Sequence, residues 1–352
     1  MAASPRQQCF RPQALAARGN VHVHYPVAAG RIVLRTEPDW NTNLEAIAVA
    51  ADRSRHEFEL PSDASFRYLK PVLVDTDERW SVGANALWLA NAARPLELFP
   101  YFRADEHCSE CELLQLADET GRRHRFRVFY PPGYKENPLR RYPVLYMQDG
   151  QNLFFPDEAF GQQHWRIAET LARLDAMNAI AQVIVVGIYP NAREIDYTQP
   201  GYESYGRFLI QRLKPFIDEH YRTLPAASTT GVMGASLGGV VSLYLAWNHP
   251  EVFGAAACLS STFGWRDNLV QRIASEPRRA VRIYLDSGWP NDNYEATRHM
   301  HSLLSSRGYR DGVDLHYYSF PEAAHSELHW AMRAHLPFQL MYRPESISCT
   351  SI

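Results

Sequence analysis

The sequence predicts a small immunoglobulin-like all-β sandwich followed by an α/β unit on a mainly parallel sheet. Three observations carry this reading. Between about residues 20 and 100, short β segments recur with turn signals between them. After Pro131-Pro132-Gly133, apolar strands alternate with segments of helical spacing, the pattern of βαβ units. The 352 residues, 46% of them hydrophobic, are enough for two domains.

Residues 1–19 are polar and arginine-rich and lack a hydrophobic period, so a disordered tail is expected there. Gly30 to Arg35, Leu44 to Ala50, Phe58 to Leu60, Phe66 to Val74 and Asn85 to Leu89 are expected as strands. Glu37-Pro38-Asp39 and Pro61-Ser62-Asp63 separate them as turns, and the sandwich spans 20–100. The polar run 101–110 reads as a linker to a catalytic-type domain at 111–345. There Cys111 to Ala117 and Arg125 to Tyr130 form an expected hairpin across Asp118-Glu119-Thr120-Gly121. Buried strands are expected at Tyr142 to Met147, Gln182 to Ile188, Thr229 to Met233, Ala256 to Leu259, Val281 to Asp286 and Val313 to Phe320. Helical spacing marks Gln163 to Met177, Ser204 to Tyr221 with a break at Pro215, and Val240 to Trp247.

Composition narrows the function classes. A formal net charge of -3 argues against electrostatic capture of nucleic acid or an anionic membrane. There is no apolar run of signal-peptide length and none near the roughly 18 residues of a membrane span, so a cytoplasmic protein is expected. Five cysteines, Cys9, Cys108, Cys111, Cys258 and Cys349, include one CxxC pair without a second pair or histidines at ligand spacing. Neither a metal nor a cofactor is expected, and the partner is expected to be a small-molecule substrate. Homo-oligomerisation stays open.

The chemistry centres on Gly234-Ala235-Ser236-Leu237-Gly238, a G-x-S-x-G pattern between an apolar strand and a helix. That setting is the nucleophile elbow of an α/β-hydrolase. The serine needs a tight turn, so small residues must flank it, and Gly239 lets the helix approach the sheet. A serine hydroxyl is a poor nucleophile until a base takes its proton. The order serine, acid, histidine places the base in the loop after the last strand, which selects His325. His329 on the following helix is the competitor, and His316 lies inside the strand. The acid should follow the strand Val281 to Asp286. Asp292, in the loop Gly288 to Asp292, is preferred, with Asp286 as the alternative at the strand end. Two backbone donors should receive the oxyanion, the N–H of Leu237 and that of Gln151 in Asp149-Gly150-Gln151-Asn152.

Leu145 to Phe154, LYMQDGQNLF, resembles a segment of the "Putative esterase" (esterase D-like) family. Enterochelin, feruloyl and acetylxylan esterases, S-formylglutathione hydrolase and mycolyltransferases belong to it. Lys214 to Asp218 with Tyr221-Arg222-Thr223, Pro250 to Phe253 with Leu259-Ser260, and His325 with Glu327 and Trp330 resemble further family segments in the same order. The resemblance runs from about 111 to 342. It implies ester hydrolysis through an acyl-enzyme without metal, and supports Gln151 in the oxyanion hole. Gln148 and Ser326 depart from the family's histidine and asparagine, and the acid loop carries an extra residue. Leu60-Pro61, Phe66 to Lys70 and Trp80 to Asn85 resemble the end of a starch-binding sandwich. Trp40, Trp80 and Trp88 are its candidate sugar platforms, although enterochelin esterases also carry an N-terminal sandwich, which is expected to shape substrate access. The leading expectation is a serine esterase for an enterochelin-like or carbohydrate ester. The alternatives are an acyltransferase with the same triad and a non-catalytic carbohydrate-binding protein.

Overall fold

The computed structural model describes residues 19–37, 39–61, 64–103 and 111–344. The expected tail and linker, except for Gly19 and residues 101–103, lie outside the described residues, as do Cys9, Cys108 and Cys349. The chain divides into two compact units, residues 1–102 and 103–352.

In the first unit the strands are β1 (Gly19–His24), β2 (Arg31–Thr36), β3 (Asp39–Glu45), β4 (Ala48–Val49), β5 (Arg55–Leu60), β6 (Phe66–Val74), β7 (Glu78–Trp80), β8 (Ala86–Leu89) and β9 (Leu96–Leu98). One sheet runs β4-β5-β1-β9; the other runs β3-β2-β6-β7, with β8 also on β6. Alternate residues of β1, β2, β5 and β6, including Val21, Val23, Ile32, Leu34, Phe58, Leu60, Leu69 and Leu73, meet in a single apolar cluster. The two sheets therefore face each other as a sandwich. Sequence patterning missed β1, β7 and β9, which are polar or short. The stretch Leu44 to Ala50 is two strands, β3 and β4, and most of β3 lies upstream of it. Trp88 is 2% exposed and belongs to the core, so it cannot serve as a sugar platform. Trp40 and Trp80 instead sit ring to ring at 6.3 Å, with Arg35 over Trp80.

The second unit holds β10 (Cys111–Ala117), β11 (Arg123–Phe129), β12 (Val144–Met147), β13 (Ile184–Ile188), β14 (Thr230–Ala235), β15 (Ala255–Leu259), β16 (Arg282–Trp289) and β17 (Leu315–Pro321). Their order is β10-β11-β13-β12-β14-β15-β16-β17. The β10–β11 and β11–β13 pairings are antiparallel. Every pairing from β13 onward is parallel. Alternation along the strands divides the core. Val144 and Tyr146 point to one face with Ile184, Val186 and Val232. Leu145 and Met147 point to the other with Val185, Met233 and Leu259. Both faces are covered by helices, which is why these strands read as nearly continuous apolar runs. On one face lie α3 (Gly201–Phe208), α4 (Lys214–His220), α5 (Leu237–Asn248), α6 (Leu269–Ser275) and α7 (Tyr294–Ser306). On the other lie α1 (Ile167–Ala176), α8 (Glu327–Arg333) and α9 (His335–Met341), while α2 (Arg193–Asp196) is a single turn after β13.

The segment expected as one helix interrupted by Pro215 runs from α3 through a π turn, Leu209–Leu213, into α4. Pro215 has no N–H and its ring crowds the carbonyl four residues back, which the wider π turn relieves. The sheet order matters most for function. From β12 the chain steps outward to β13, then returns to β14 and continues the opposite way. Loops leaving the carboxyl ends of β12 and β14 therefore diverge and leave a crevice, the usual ligand position of an open α/β sheet. No helix among the described residues is long and apolar enough to cross a membrane.

Trp88→Ala should destabilise the chain by about 3–5 kcal/mol through an unfilled core cavity. Trp80→Ala, at a half-exposed position, should cost about 1 kcal/mol or less. Urea unfolding midpoints check the pair, and equal losses would contradict the assignment of Trp88 to the core.

Candidate active site

The crevice is built around one turn. Ser236 joins β14 to α5 with φ 57° and ψ -122°, a conformation that costs roughly 1–3 kcal/mol for a non-glycine residue. Strand pairing and the helix hold it there. The Ser236 N–H donates to the Leu259 carbonyl on β15 at 2.9 Å, and its own carbonyl accepts the Gly239 and Val240 N–H groups at 3.2 and 3.3 Å. The flanking glycines are required by contact distance. A Cβ on Gly234 would stand 2.5 Å from the Gly238 carbonyl carbon, and one on Gly239 would stand 1.9 Å from Ser261 Oγ. Helix α5 is buried from Leu237 through Trp247, so it cannot move away to relieve the backbone clash at Gly234.

Beside the serine, the end of β12 supplies a second turn. Asp149 adopts the left-handed conformation, φ 56°, and Gly150–Asn152 form one turn of 3₁₀ helix. Arg193 of α2 donates from Nε and Nη2 to the two Asp149 carboxylate oxygens at 2.8 and 2.9 Å. This bidentate pairing is the strong, orientation-fixing kind. The Asp149 N–H donates to the Tyr197 hydroxyl at 3.0 Å. Leu237 opens α5, and Gln151 stands near the start of its turn. N–H groups at such positions have no intrahelical acceptor and can serve an outside oxygen.

The residues expected as acid and base lie on the far side of the serine strand. β16 does not end at Asp286 as the sequence reading supposed. It continues to Trp289, because Ser287, Gly288 and Trp289 pair with Ser319, Phe320 and Pro321 of β17. Asp286 is thus inside the sheet, where its carboxylate accepts from Tyr284 Oη at 2.7 Å and Arg333 Nε at 3.0 Å. Asp292 follows in the loop, and its Oδ1 lies 2.7 Å from His325 Nδ1. The ionised carboxylate can only accept, so Nδ1 carries the proton and Nε2 is the nitrogen left able to take one. The Trp330 ring stands edge-on to the imidazole, centroids 4.9 Å apart. His329 has a local role, its Nδ1 accepting the Ala324 N–H at 3.1 Å. His316 remains on β17, its pKa lowered by burial.

The two carboxylates have opposite electrostatics. Burial pushes Asp286 up to about 6, with Arg333 and the Tyr284 hydroxyl pulling the other way. Burial also acts to raise Asp292, but hydrogen bonds from His325, Ser260 and the Gly288 N–H, with the Arg333 charge, hold it below the ordinary carboxylate range. An acid meant to stay ionised beside a histidine needs the second environment.

Sequence reading overlooked Arg193, Tyr284 and Arg333, and gave Ser260 and Trp330 no role. Ser260 directly follows β15 and donates to Asp292 Oδ2 at 2.6 Å, while Trp330 Nε1 donates to Ser260 Oγ at 2.9 Å. Ser260 and Trp330 stood in recognisable segments, a signal that could have flagged them. Arg333, 47 residues from Asp286, had no local signal.

The model of the "Putative esterase" family matches residues 117–334. The uncharacterized protein YbbA of Bacillus subtilis (strain 168) is 24% identical over 226 residues, which are 56% of this chain and 84% of that protein. Among solved structures, a ferulic acid esterase superposes with a TM-score of 0.57 at 18% identity, covering 67% of this chain and 98% of its own. The enterochelin esterase of Shigella flexneri superposes with a TM-score of 0.55 at 16% identity, covering 92% of this chain and 91% of its own. At these identities the structural likeness is one of fold.

Gly234→Ala should lower the unfolding free energy by about 1–3 kcal/mol, because its Cβ meets backbone that no side-chain rotation can clear. Chemical denaturation of the variant checks this, and an unchanged midpoint would mean that the elbow has more room than its distances allow.

Proposed function

The chain belongs to the "Putative esterase" family, and on that premise we propose that it is a serine esterase that cleaves a carboxylic ester through an acyl-enzyme. In this reading Ser236 Oγ attacks the ester carbonyl while His325 Nε2 takes its proton. Asp292 holds the imidazole in the required tautomer and stabilises the imidazolium that forms. The carbonyl oxygen becomes an oxyanion and is received by the N–H groups of Leu237 and Gln151. His325 then gives its proton to the departing alcohol. Water, deprotonated by the same histidine, attacks the acyl-enzyme and releases the acid, restoring Ser236. The observation that carries the proposal is the 2.7 Å Asp292–His325 hydrogen bond in the loops flanking a strained Ser236 elbow.

The substrate class follows from the rim. Phe160, Ile195, Trp265, Trp289 and Leu328 are all exposed. They come from the carboxyl ends of β12, β13, β15, β16 and β17 or the segments that follow. Apolar side chains contributed by five separate segments at this end of the sheet favour an ester with a bulky, partly hydrophobic body over a small acetate ester. The name of the ferulic acid esterase structure supports an ester of an aromatic acid as the first class to try.

Ser236→Ala should abolish turnover with little change in stability. His325→Ala and Asp292→Asn should each lower kcat on the order of 10⁴-fold. His329→Ala should cost far less. A hydrolysis panel of feruloyl, acetyl-sugar, catecholate and nitrophenyl esters, read with and without an acceptor alcohol, decides the substrate and separates hydrolysis from acyl transfer. Ester turnover by Ser236→Ala within tenfold of wild type would remove the serine from the mechanism.

A further inference from the structure

Behind the acid and base lies a buried charge cluster that packing alone does not require. The Arg333, Asp286 and Asp292 side chains are 4%, 0% and 0% exposed. A guanidinium brought from water into the core is costly unless every charge near it is matched and hydrogen-bonded. Here the arginine reaches three groups. Its Nε donates to Asp286 Oδ1 at 3.0 Å, and its Nη2 donates to Asp292 Oδ2 at 3.2 Å and also to Ser260 Oγ. The Phe320 ring lies against the guanidinium, 5.3 Å from its carbon.

We infer that Arg333 is a positioning residue for the proposed hydrolysis: anchored by Asp286, it clamps the Asp292 carboxylate from behind so that Oδ1 faces His325. The inference rests on the esterase reading and adds to it the device that orients the acid.

The donor pattern carries the argument. Asp292 Oδ2 accepts the Gly288 N–H at 2.7 Å, the Ser260 hydroxyl at 2.6 Å and Arg333. Those three bonds occupy one oxygen and leave the other for the imidazole. Ser260 Oγ in turn accepts Trp330 Nε1 and Arg333 Nη2, so its single proton has to point at Asp292. Ser260 is also tied to the strand of the nucleophile. Its neighbour Leu259 accepts the Ser236 N–H, and its own N–H donates to the Asp286 carbonyl. Three hydrogen bonds, Ser236 N–H to Leu259, Ser260 Oγ to Asp292 and His325 Nδ1 to Asp292, therefore link serine strand, acid and histidine, and Arg333 braces them at Ser260 and Asp292.

Charge points the same way. Two carboxylates and one guanidinium leave a net charge of minus one in the cluster, the charge an imidazolium at His325 would meet. Without the arginine, two buried carboxylates would oppose each other and one would take up a proton. Tyr284 faces Asp286 from the same strand and donates to its second oxygen, so Asp286 is held on both sides. Only a planar fork presents Nε and Nη2 to two carboxylates at once, and a lysine ammonium cannot reproduce that geometry.

The test uses the full chain in mildly alkaline buffer, where both carboxylates are ionised. The double variant Arg333→Met/Asp286→Asn keeps the net charge of the cluster and removes the clamp. Arg333→Lys keeps the charge and removes the fork. Each is compared with wild type for thermal unfolding, for kcat and KM on the best ester of the panel, and for the rate at which a fluorophosphonate labels Ser236. The expected result in folded variants is a fall in kcat and labelling rate on the order of 10²-fold, from misplacement of the acid, with KM unchanged. Asp286→Asn, which leaves an amide oxygen to accept from Arg333, should lose about tenfold or less. Full activity in the double variant or in Arg333→Lys would overturn the inference and leave the esterase reading intact. A wild-type chain that neither labels nor hydrolyses any ester would overturn both.

Discussion

Backbone meets backbone where β14 turns into α5, and the rest of the catalytic half is arranged around that contact. The strand must end in a residue with positive φ, and the helix must start within one residue of it, so Gly234 lies close against the Gly238 backbone. Such a turn survives only when its surroundings over-determine it. Here β14 is paired on both sides, by β12 and β15, and α5 is buried along its length. The cost of the strained serine is spread over a paired sheet and a buried helix. The benefit is a hydroxyl raised at the end of a strand, beside the positive end of a helix.

The switch in strand order then decides what the serine can meet. With β13 on one side of β12 and β14 on the other, the turn at Asp149-Gly150-Gln151 arrives beside the elbow, and Arg193 pins it by gripping Asp149. On the other side, β15 and β16 deliver Ser260 and the Asp292 loop, and β17 delivers His325. Each partner emerges from a different strand end. A rigid parallel sheet sets their spacing, while the loops are free to differ in length and in the apolar rim they present.

Two buried aspartates six positions apart take different parts because of what surrounds them. Asp286 is sealed in the sheet with a tyrosine and an arginine, and burial dominates its titration. Asp292 lies in a loop whose backbone folds back to give it the Gly288 N–H, and it collects enough donors to remain ionised. The same arginine touches both. It neutralises one carboxylate and leaves the charge of the other directed at the histidine.

The sequence by itself determined the alternation of strands and helices, the G-x-S-x-G turn and the position of His325 after the last strand. Those features are local, because a strand, a turn and a helix are each written in consecutive residues through periodicity and steric demand. It also offered two acids after the same apolar run, with Asp292 preferred for its loop position and Asp286 as the alternative. Tertiary structure gave the two different surroundings, through the extension of β16 to Trp289 in register with β17, which draws Asp286 into the sheet, while Asp292 lies in the loop beside His325. The strand β7 is a three-residue hairpin arm on β6, too short to show a period, whereas the polar strand β1 escaped the sequence reading because what makes it a strand is pairing with β5, beyond β2, β3 and β4 along the chain. Arg333 escaped it for the same reason. A buried arginine looks like any surface arginine on a short helix until the sheet brings two carboxylates, 41 and 47 residues away in sequence, into its reach. Charge pairing across such separations is a property of distance in space, and no spacing along the chain encodes it.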